Sequence, residues 1–543
     1  MRRLINPLVN IQAGISRCAT QFWRVLALSA LTLIAVSGVS ASDIYLAQSS
    51  AGSANGADCA DARAVSGANW SAGNTYHLCG TIASQVAPSA NGSASSHITI
   101  VFETNAKISM PAIPDYAGGG GINLAGRQFI DVDGGSNGAI ESTANGSKKA
   151  THVNSVGINV DSTNNVTIHN IVFQNLFVNV CCSDGSQFGQ GIYGQGSISN
   201  LRFYNNTCTQ LFSCVQIQET ATATNVEVDH NSLPNQDVGW GIVIVMGNPG
   251  FSVPGVYIHD NDITPGSGTG INSNSATFIG TNSWCTGTSD LTHLDPIHTW
   301  SQGSSPDGVY NEYIYNNYIH GYFCVNQGVA NSTAAIFWEA HVTGGNAPNT
   351  ATVFNNLILM QGGHPGDGAI FPQAGTNGNI YNNTIDCTGA DSGSLATEFG
   401  GGTDTYYNNL IIGCNEAVLF DGGSYSGDYN DWFNIGGAGW GQQPFAQWKS
   451  SQPGQDSHSM TADPKINSDH TLQAGSPAIG VGSNLTAKNI TQLDTSKPLN
   501  VGVGYVSTAG YPRPSSGGWD LGAYSFNGTR PNPPTALTIL SVQ

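Results

Sequence analysis

Three stretches of this sequence gather side chains suited to acid–base and binding chemistry. Residues 280–308 hold Trp284, His293, Asp295, His298, Trp300 and Asp307; residues 335–345 hold Trp338, Glu339 and His341; residues 362–372 hold His364 and Asp367. Carboxyls serve as general acids, bases and nucleophiles, imidazoles as orienting or proton-relaying groups, and indoles stack on apolar ring faces. Aligning Ile297, Ile336 and Ile370 sets the segments PIHTW, AIFWE and AIFPQ side by side. As strands they place His298, Phe337 and Phe371 in one row and Trp300, Glu339 and Gln373 in another. Both rows share one face, because alternate strand residues point the same way. Asp421 and Glu219 extend that face in the two directions. Trp338 has the opposite parity, which suits a core as well as a platform. Glu339 stands between Trp338 and Ala340 with no Lys or Arg nearby, and a half-buried acid is costly unless it is paired or used.

What must position these residues is a repeat. Segments such as 200–208 (NLRFYNNTC), 225–233 (NVEVDHNSL), 312–320 (EYIYNNYIH), 351–359 (ATVFNNLIL), 378–386 (GNIYNNTID) and 404–412 (DTYYNNLII) share one plan. Each is a short alternating strand, an Asn-containing turn and a second short strand. The second turn residue falls at Asn206, Asn231, Asn261, Asn317, Asn356, Asn383 and Asn409, with steps of 25, 30, 56, 39, 27 and 26 residues. A step near 25 is one coil of three short strands and three turns, so the spacing predicts an all-β, single-chain right-handed parallel β-helix with inserted loops. Asn tolerates the left-handed backbone of a tight corner and can form a hydrogen-bonded ladder between coils. A propeller needs about four strands per 40–50 residues, and a sandwich has no repeated Asn corner. The long steps mark the insertions at 280–308 and 335–345, where function is expected.

The Asn-corner repeat, the opening DIYLAQSSAGSANGADC (43–59) and YHLCGTI (76–82), and the closing AGSPAIGVGS (474–483) and WDLGAYSF (519–526) resemble the pectate-lyase-like right-handed β-helix superfamily. The resemblance covers nearly all of the chain after the N-terminal segment. It implies the fold and a carbohydrate-active role without choosing the activity, since the superfamily includes lyases, hydrolases, epimerases and non-catalytic proteins. The implied fold places Cys387 and Cys414 on adjacent coils, where they bridge. Cys285 and Cys324 flank the long step, and pairing among Cys181, Cys182, Cys208 and Cys214 stays open.

The totals add a compartment. Arg2, Arg3, Arg17 and Arg24, an apolar run from Val25 and the small residues Val39-Ser40-Ala41 read as an export signal cleaved near Ala41. The run is shorter than the roughly 20 residues of a membrane span. The expected organisation is a signal (1–41), an N-terminal cap with the first coils (42–150), central coils with the groove (151–435), and C-terminal coils with a capping segment (436–543). Loss of four arginines and no acid takes the net charge from −19 to −23, an unsuitable surface for nucleic acid or anionic membrane. Ten cysteines remain, pointing to disulfides in a secreted, extracellular or periplasmic protein, with Cys59 and Cys79 as one expected pair.

Charge also selects among reactions. No Lys or Arg lies between Arg202 and Lys449. Cleaving a uronate polymer requires cations to neutralise the substrate carboxylate and, in a lyase, an enolate-like intermediate. The superfamily's catalytic Arg has no counterpart here. Adjacent Asp-Asp, Gly-His-Gly and Arg-x-Lys are absent, and Asp295-Pro296-Ile297-His298 has one residue more than the epimerase Asp-Pro-His. The expectation is therefore a hydrolase of a neutral or weakly charged polysaccharide. It takes Glu339 as general acid, Asp295 as base or nucleophile and Asp307 in reserve, with His298, Trp300, Trp338, His341 and His364 binding substrate. No metal ligand is assigned. The alternatives are a lyase bringing Ca2+ bound by Asp295, Asp307 and Asp367, and a non-catalytic carbohydrate-binding surface protein. Both a monomer and a homotrimer are open. The segment 455–466, with Asp456, His458 and Asp463, reads as a structural loop.

Overall fold

The computed structural model describes residues 41–144, 154–176, 189–209, 211–218, 222–234, 241–246, 255–264, 295–302, 312–323, 334–341, 351–373, 377–488 and 513–526. Their strands form three sheets of 14, 12 and 9 strands, and every pairing within them is parallel. The chain visits the sheets in rotation. Asn164–His169 lies in the 14-stranded sheet, Val172–Gln174 in the 12-stranded, Gly189–Gly194 in the 9-stranded, and Ser197–Tyr204 returns beside Asn164–His169. This is a right-handed parallel β-helix, as the repeat predicted.

Alternation builds the core. In the 9-stranded sheet Ile242, Ile297, Ile336 and Ile370 are register partners, and all four are fully buried. The neighbouring positions therefore face outward, which fixes the face carrying His298. Each coil's apolar row stacks on the next, so burial accumulates along the axis rather than around one centre.

The corner between the 14- and 12-stranded sheets divides its work between two residues. The first takes the left-handed conformation: Asn205, His230, Asp260, Asn316, Asn355, Asn382 and Asn408 have φ of 53–60°. The second, buried, forms the ladder. Asn317 Nδ2 donates to Ile258 O and to Asn356 Oδ1, both at 3.0 Å, while Asn317 Oδ1 accepts from the backbone and side-chain nitrogens of Asn261. The same pattern runs from Asn206 to Asn430, one coil beyond the last corner legible in the sequence.

The segment at 455–466 closes the C-terminal end. Asp456 is fully buried and its carboxylate accepts from the Tyr425 hydroxyl, both Trp432 and Trp448 indoles and Ser459 Oγ. It holds a cap of aromatic rings together, in keeping with a structural loop. Disulfides join Cys59–Cys79, Cys387–Cys414 and Cys208–Cys214. The last settles part of the open cluster; Cys181, Cys182, Cys285 and Cys324 lie outside the described residues.

Candidate active site

One outward column runs the length of the 9-stranded sheet. Register aligns Asn159, Tyr193, Gln216, Val243, His298, Phe337 and Phe371. The Ile370–Thr397 pairing carries the column on to Glu398. Trp300 and Glu339 are partners in the neighbouring column, as the alignment of isoleucines predicted.

His298 links the two acids that the sequence singled out. Its Nδ1 lies 3.2 Å from Asp295 Oδ2, and its Nε2 hydrogen-bonds Glu339 Oε1 at 3.2 Å. The ring stacks on Phe337 (4.3 Å between centroids), and Phe337 stacks on Phe371 (4.9 Å). Aromatic stacking and two carboxylates thus leave the imidazole little freedom to rotate. Asp295 Oδ1 also accepts the Ala334 backbone N–H at 2.8 Å.

Exposure separates the roles these residues can play. Glu339 is 6% exposed and His298 3%, whereas Asp295 is 0% exposed. Asp295 is the most enclosed of the three, with Oδ1 on the Ala334 N–H and Oδ2 beside the ring, an arrangement that orients the imidazole.

Trp338 points the other way. It is 0% exposed and belongs to the main core, with its ring packed over Gly378, where a Cβ would stand 2.5 Å from Cζ2. Its inward parity decided the outcome, and the side chain sits in the core rather than on the outward face. His364 lies at a corner with Nδ1 on Asp391, apart from the His298 group's contacts. Trp300 and His341 have their backbones in the expected strands, and their side chains lie outside the described residues, as do Asp307 and Glu219.

The alignment stopped one coil short of another acid. Glu398 follows Phe371 in the His298 column and is 7% exposed. Burial, then the charges of Asp367, Asp421 and Glu416, push its carboxyl up to about 8, so it keeps its proton at neutral pH. Gly368, at φ +102°, brings the Asp367 loop close above it, with a Cβ site 3.4 Å from the Glu398 nitrogen. Extending the AIFPQ alignment to LATEF was the available signal. Beneath the site, Glu312 is fully buried and its Oε2 accepts from Thr299 Oγ1 at 3.0 Å. Burial pushes Glu312 up to about 7 against the opposing effects of Thr299 and His298.

A second charged group sits on the 14-stranded sheet. Possible ligand atoms of Asp229, His230 and His259 lie within 4.8 Å of one another. Arg202, however, donates to both Asp229 oxygens (2.9 and 2.8 Å), and His259 contacts Asp260 and Glu227 through its two ring nitrogens. Burial opposes the charged imidazole, yet Asp260 and Glu227 raise it to about 9. With both nitrogens protonated, His259 offers no lone pair to a metal. This is an ion-pair network.

No family model matches the sequence, and no curated protein matches it. Among solved structures, the chain is similar to pectate lyase Pel9A at 13% identity and TM-score 0.34, covering 90% of this chain and 98% of that one. It is also similar to the GH136 lacto-N-biosidase of Eubacterium ramulus (10% identity, 82% and 69% covered, TM-score 0.41). A third is PfbA, a surface adhesin of Streptococcus pneumoniae (11% identity, 67% and 82% covered, TM-score 0.41). These likenesses are too slight to inform the reaction, which rests on the residues alone. By the strand order and register of its three sheets, the chain is a right-handed parallel β-helix protein.

Proposed function

We propose that this protein is an exported hydrolase of a neutral or weakly charged polysaccharide, with the outward face of the 9-stranded sheet as its groove. The observation that carries this reading is Glu398: a buried carboxyl that holds its proton near neutral pH, in one column with His298, beside other acids. Glycoside hydrolysis needs that division, one carboxyl protonated for the leaving oxygen and another ionised to activate water or attack the sugar. Glu398 is the proton donor in place of Glu339. Asp421, exposed, and Asp367, half-buried in the adjoining loop, supply the second carboxyl. Glu339 and His298 bind sugar hydroxyls, and Asp295 fixes the imidazole.

Cation placement argues against a lyase. Arg202 is committed to Asp229 on another sheet, and Arg513 donates to backbone carbonyls in the C-terminal segment. The three disulfides among the described residues support an oxidising compartment.

The test is digestion of neutral polysaccharides (glucans, xylans, mannans, galactans) beside pectate and alginate. New reducing ends on a neutral polymer, without ultraviolet-absorbing unsaturated products, and their loss in Glu398→Gln are expected. Unsaturated products from a uronate polymer would overturn the reading.

A further inference from the structure

We infer that Tyr116 and Tyr193 form a distal sugar subsite in the same groove, and that the substrate is an extended uncharged chain. This rests on the proposed function for the reaction but on separate residues for the binding. Tyr193 stands in the His298 column, three strand steps away through Gln216 and Val243. At about 4.8 Å per step that is roughly 14 Å from His298 and, over the six steps to Glu398, roughly 29 Å, the reach of about six pyranose units laid along the helix axis.

Tyr116 is 40% exposed, and Val481 is the other large apolar side chain exposed among the described residues. Its position is held all the same. Its ring lies 4.9 Å from that of Tyr193 at 30°, and Asn159, the next member of the column, donates from Nδ2 to Tyr116 O at 3.1 Å. The Gly119 N–H binds the same carbonyl at 2.9 Å. Core packing does not account for an anchored ring left this open; a platform for the apolar face of a sugar does.

The rim of the platform is made of neutral amides. Tyr193 OH donates to Gln218 Oε1 (3.1 Å) and accepts from Gln195 Nε2 (2.6 Å), and Gln216 Nε2 donates to Gln218 Oε1 (2.9 Å). Gln195 and Gln218 are half-buried, so their amides border the groove. Amides pair with hydroxyls as both donors and acceptors, and none of these side chains carries the cation a uronate would need. The chemistry selects an uncharged saccharide, and its distance from Glu398 calls for a chain rather than a disaccharide.

The experiment compares wild-type protein with Tyr116→Ala and Tyr116→Trp on neutral oligosaccharides of increasing length and on their parent polymers. Tyr116→Ala should lower kcat/KM about tenfold on polymers, as expected for one lost stacking contact. The loss should shrink as the chain becomes too short to reach from Glu398 to Tyr116, and Tyr116→Trp should restore the rate. An equal loss at every length, or no loss on polymers, overturns the subsite while leaving hydrolysis intact. Affinity electrophoresis in gels containing the same polymers reads binding without turnover. Retardation of Glu398→Gln that disappears in the Tyr116→Ala, Glu398→Gln double variant supports the subsite even if no bond is cleaved. Equal retardation of the two overturns it, and wild-type protein retarded by no neutral polymer overturns it too.

Discussion

His298 Nε2 and Glu339 Oε1 meet at 3.2 Å across one coil step, on the outward face of the 9-stranded sheet. Residues 41 apart in sequence are thus joined by coil stacking. Because Asp295 lies against the opposite ring nitrogen, the imidazole is clamped between two buried acids.

That clamp predicts different outcomes for its members. His298→Ala and Glu339→Gln should lower kcat/KM by roughly 100-fold, the range of positioned polar groups, with little change in stability. Asp295→Ala should instead cost stability, about 1–3 kcal/mol, because the buried Ala334 N–H loses its acceptor. Urea unfolding beside steady-state kinetics separates the two. Full hydrolysis by both Glu339→Gln and His298→Ala would remove them from the site.

Glu398→Gln should abolish at least 99% of turnover while leaving polymer binding intact, since it removes a proton and not a contact surface. In the wild type, activity should fall on the alkaline side as Glu398 deprotonates near 8. Burial and then neighbouring charges, Glu416 among them, raise Glu398, so Glu416→Gln, outside the proposed catalytic pair, should titrate lower and its alkaline limb should shift to lower pH. A pH–rate profile of the two proteins reads this directly, and superimposed alkaline limbs would remove Glu398 as the donor.

The corner provides a test within one dipeptide. Asn317→Ala removes four side-chain hydrogen bonds and strands the buried Ile258 carbonyl and Asn261 N–H. It should cost about 2–4 kcal/mol. Asn316 serves through its backbone at φ 55°, so Asn316→Gly should be close to neutral and Asn316→Ala should cost about 1 kcal/mol. Denaturant midpoints of the three variants decide whether the ladder and the left-handed corner are separate functions.

The repeat made the fold legible, because a coil that buries one apolar row per strand must repeat its alternation and its corners at the length of one turn. The His298–Glu339 face was legible for the same reason: matching Ile297, Ile336 and Ile370 fixed the parity of everything between them. Burial depth was not. Asp295 lies two residues before its strand, where alternation no longer specifies direction, and its enclosure by Ala334 is a tertiary fact. Glu398 was missed because in the strand Leu395–Phe399 it takes the column place that Phe337 and Phe371 hold in its predecessors, so no aromatic marks the register. The first and second Asn of each corner look alike in sequence yet differ in role, one set by φ and the other by hydrogen bonding between coils.

The last prediction concerns acids that the fold keeps protonated. Burial raises Glu312 to about 7 and Asp431 to about 7, and Glu398 reaches about 8. A carboxyl raised above its unfolded value of about 4.5 makes the native state hold the extra proton. Its stabilisation is whole below about pH 4.5 and is lost as pH rises through the folded value. Salt-bridged Asp229 and Asp386 act in the opposite sense, since both are held below the usual carboxylate range and lose their contribution in acid: burial opposes this, but His230 and Arg202 outweigh it at Asp229, and His470 at Asp386. Between pH 5 and 8 the raised acids dominate, so the melting temperature should fall across that interval. Glu312→Gln removes about 3 kcal/mol of that dependence, from a shift of roughly 2.5 units. Thermal unfolding of wild type and Glu312→Gln from pH 5 to 8 should give converging curves at pH 5 and a more stable variant at pH 8. Parallel curves would mean that Glu312 is ionised in the core, and that Thr299 and His298 outweigh the cost of burying its charge.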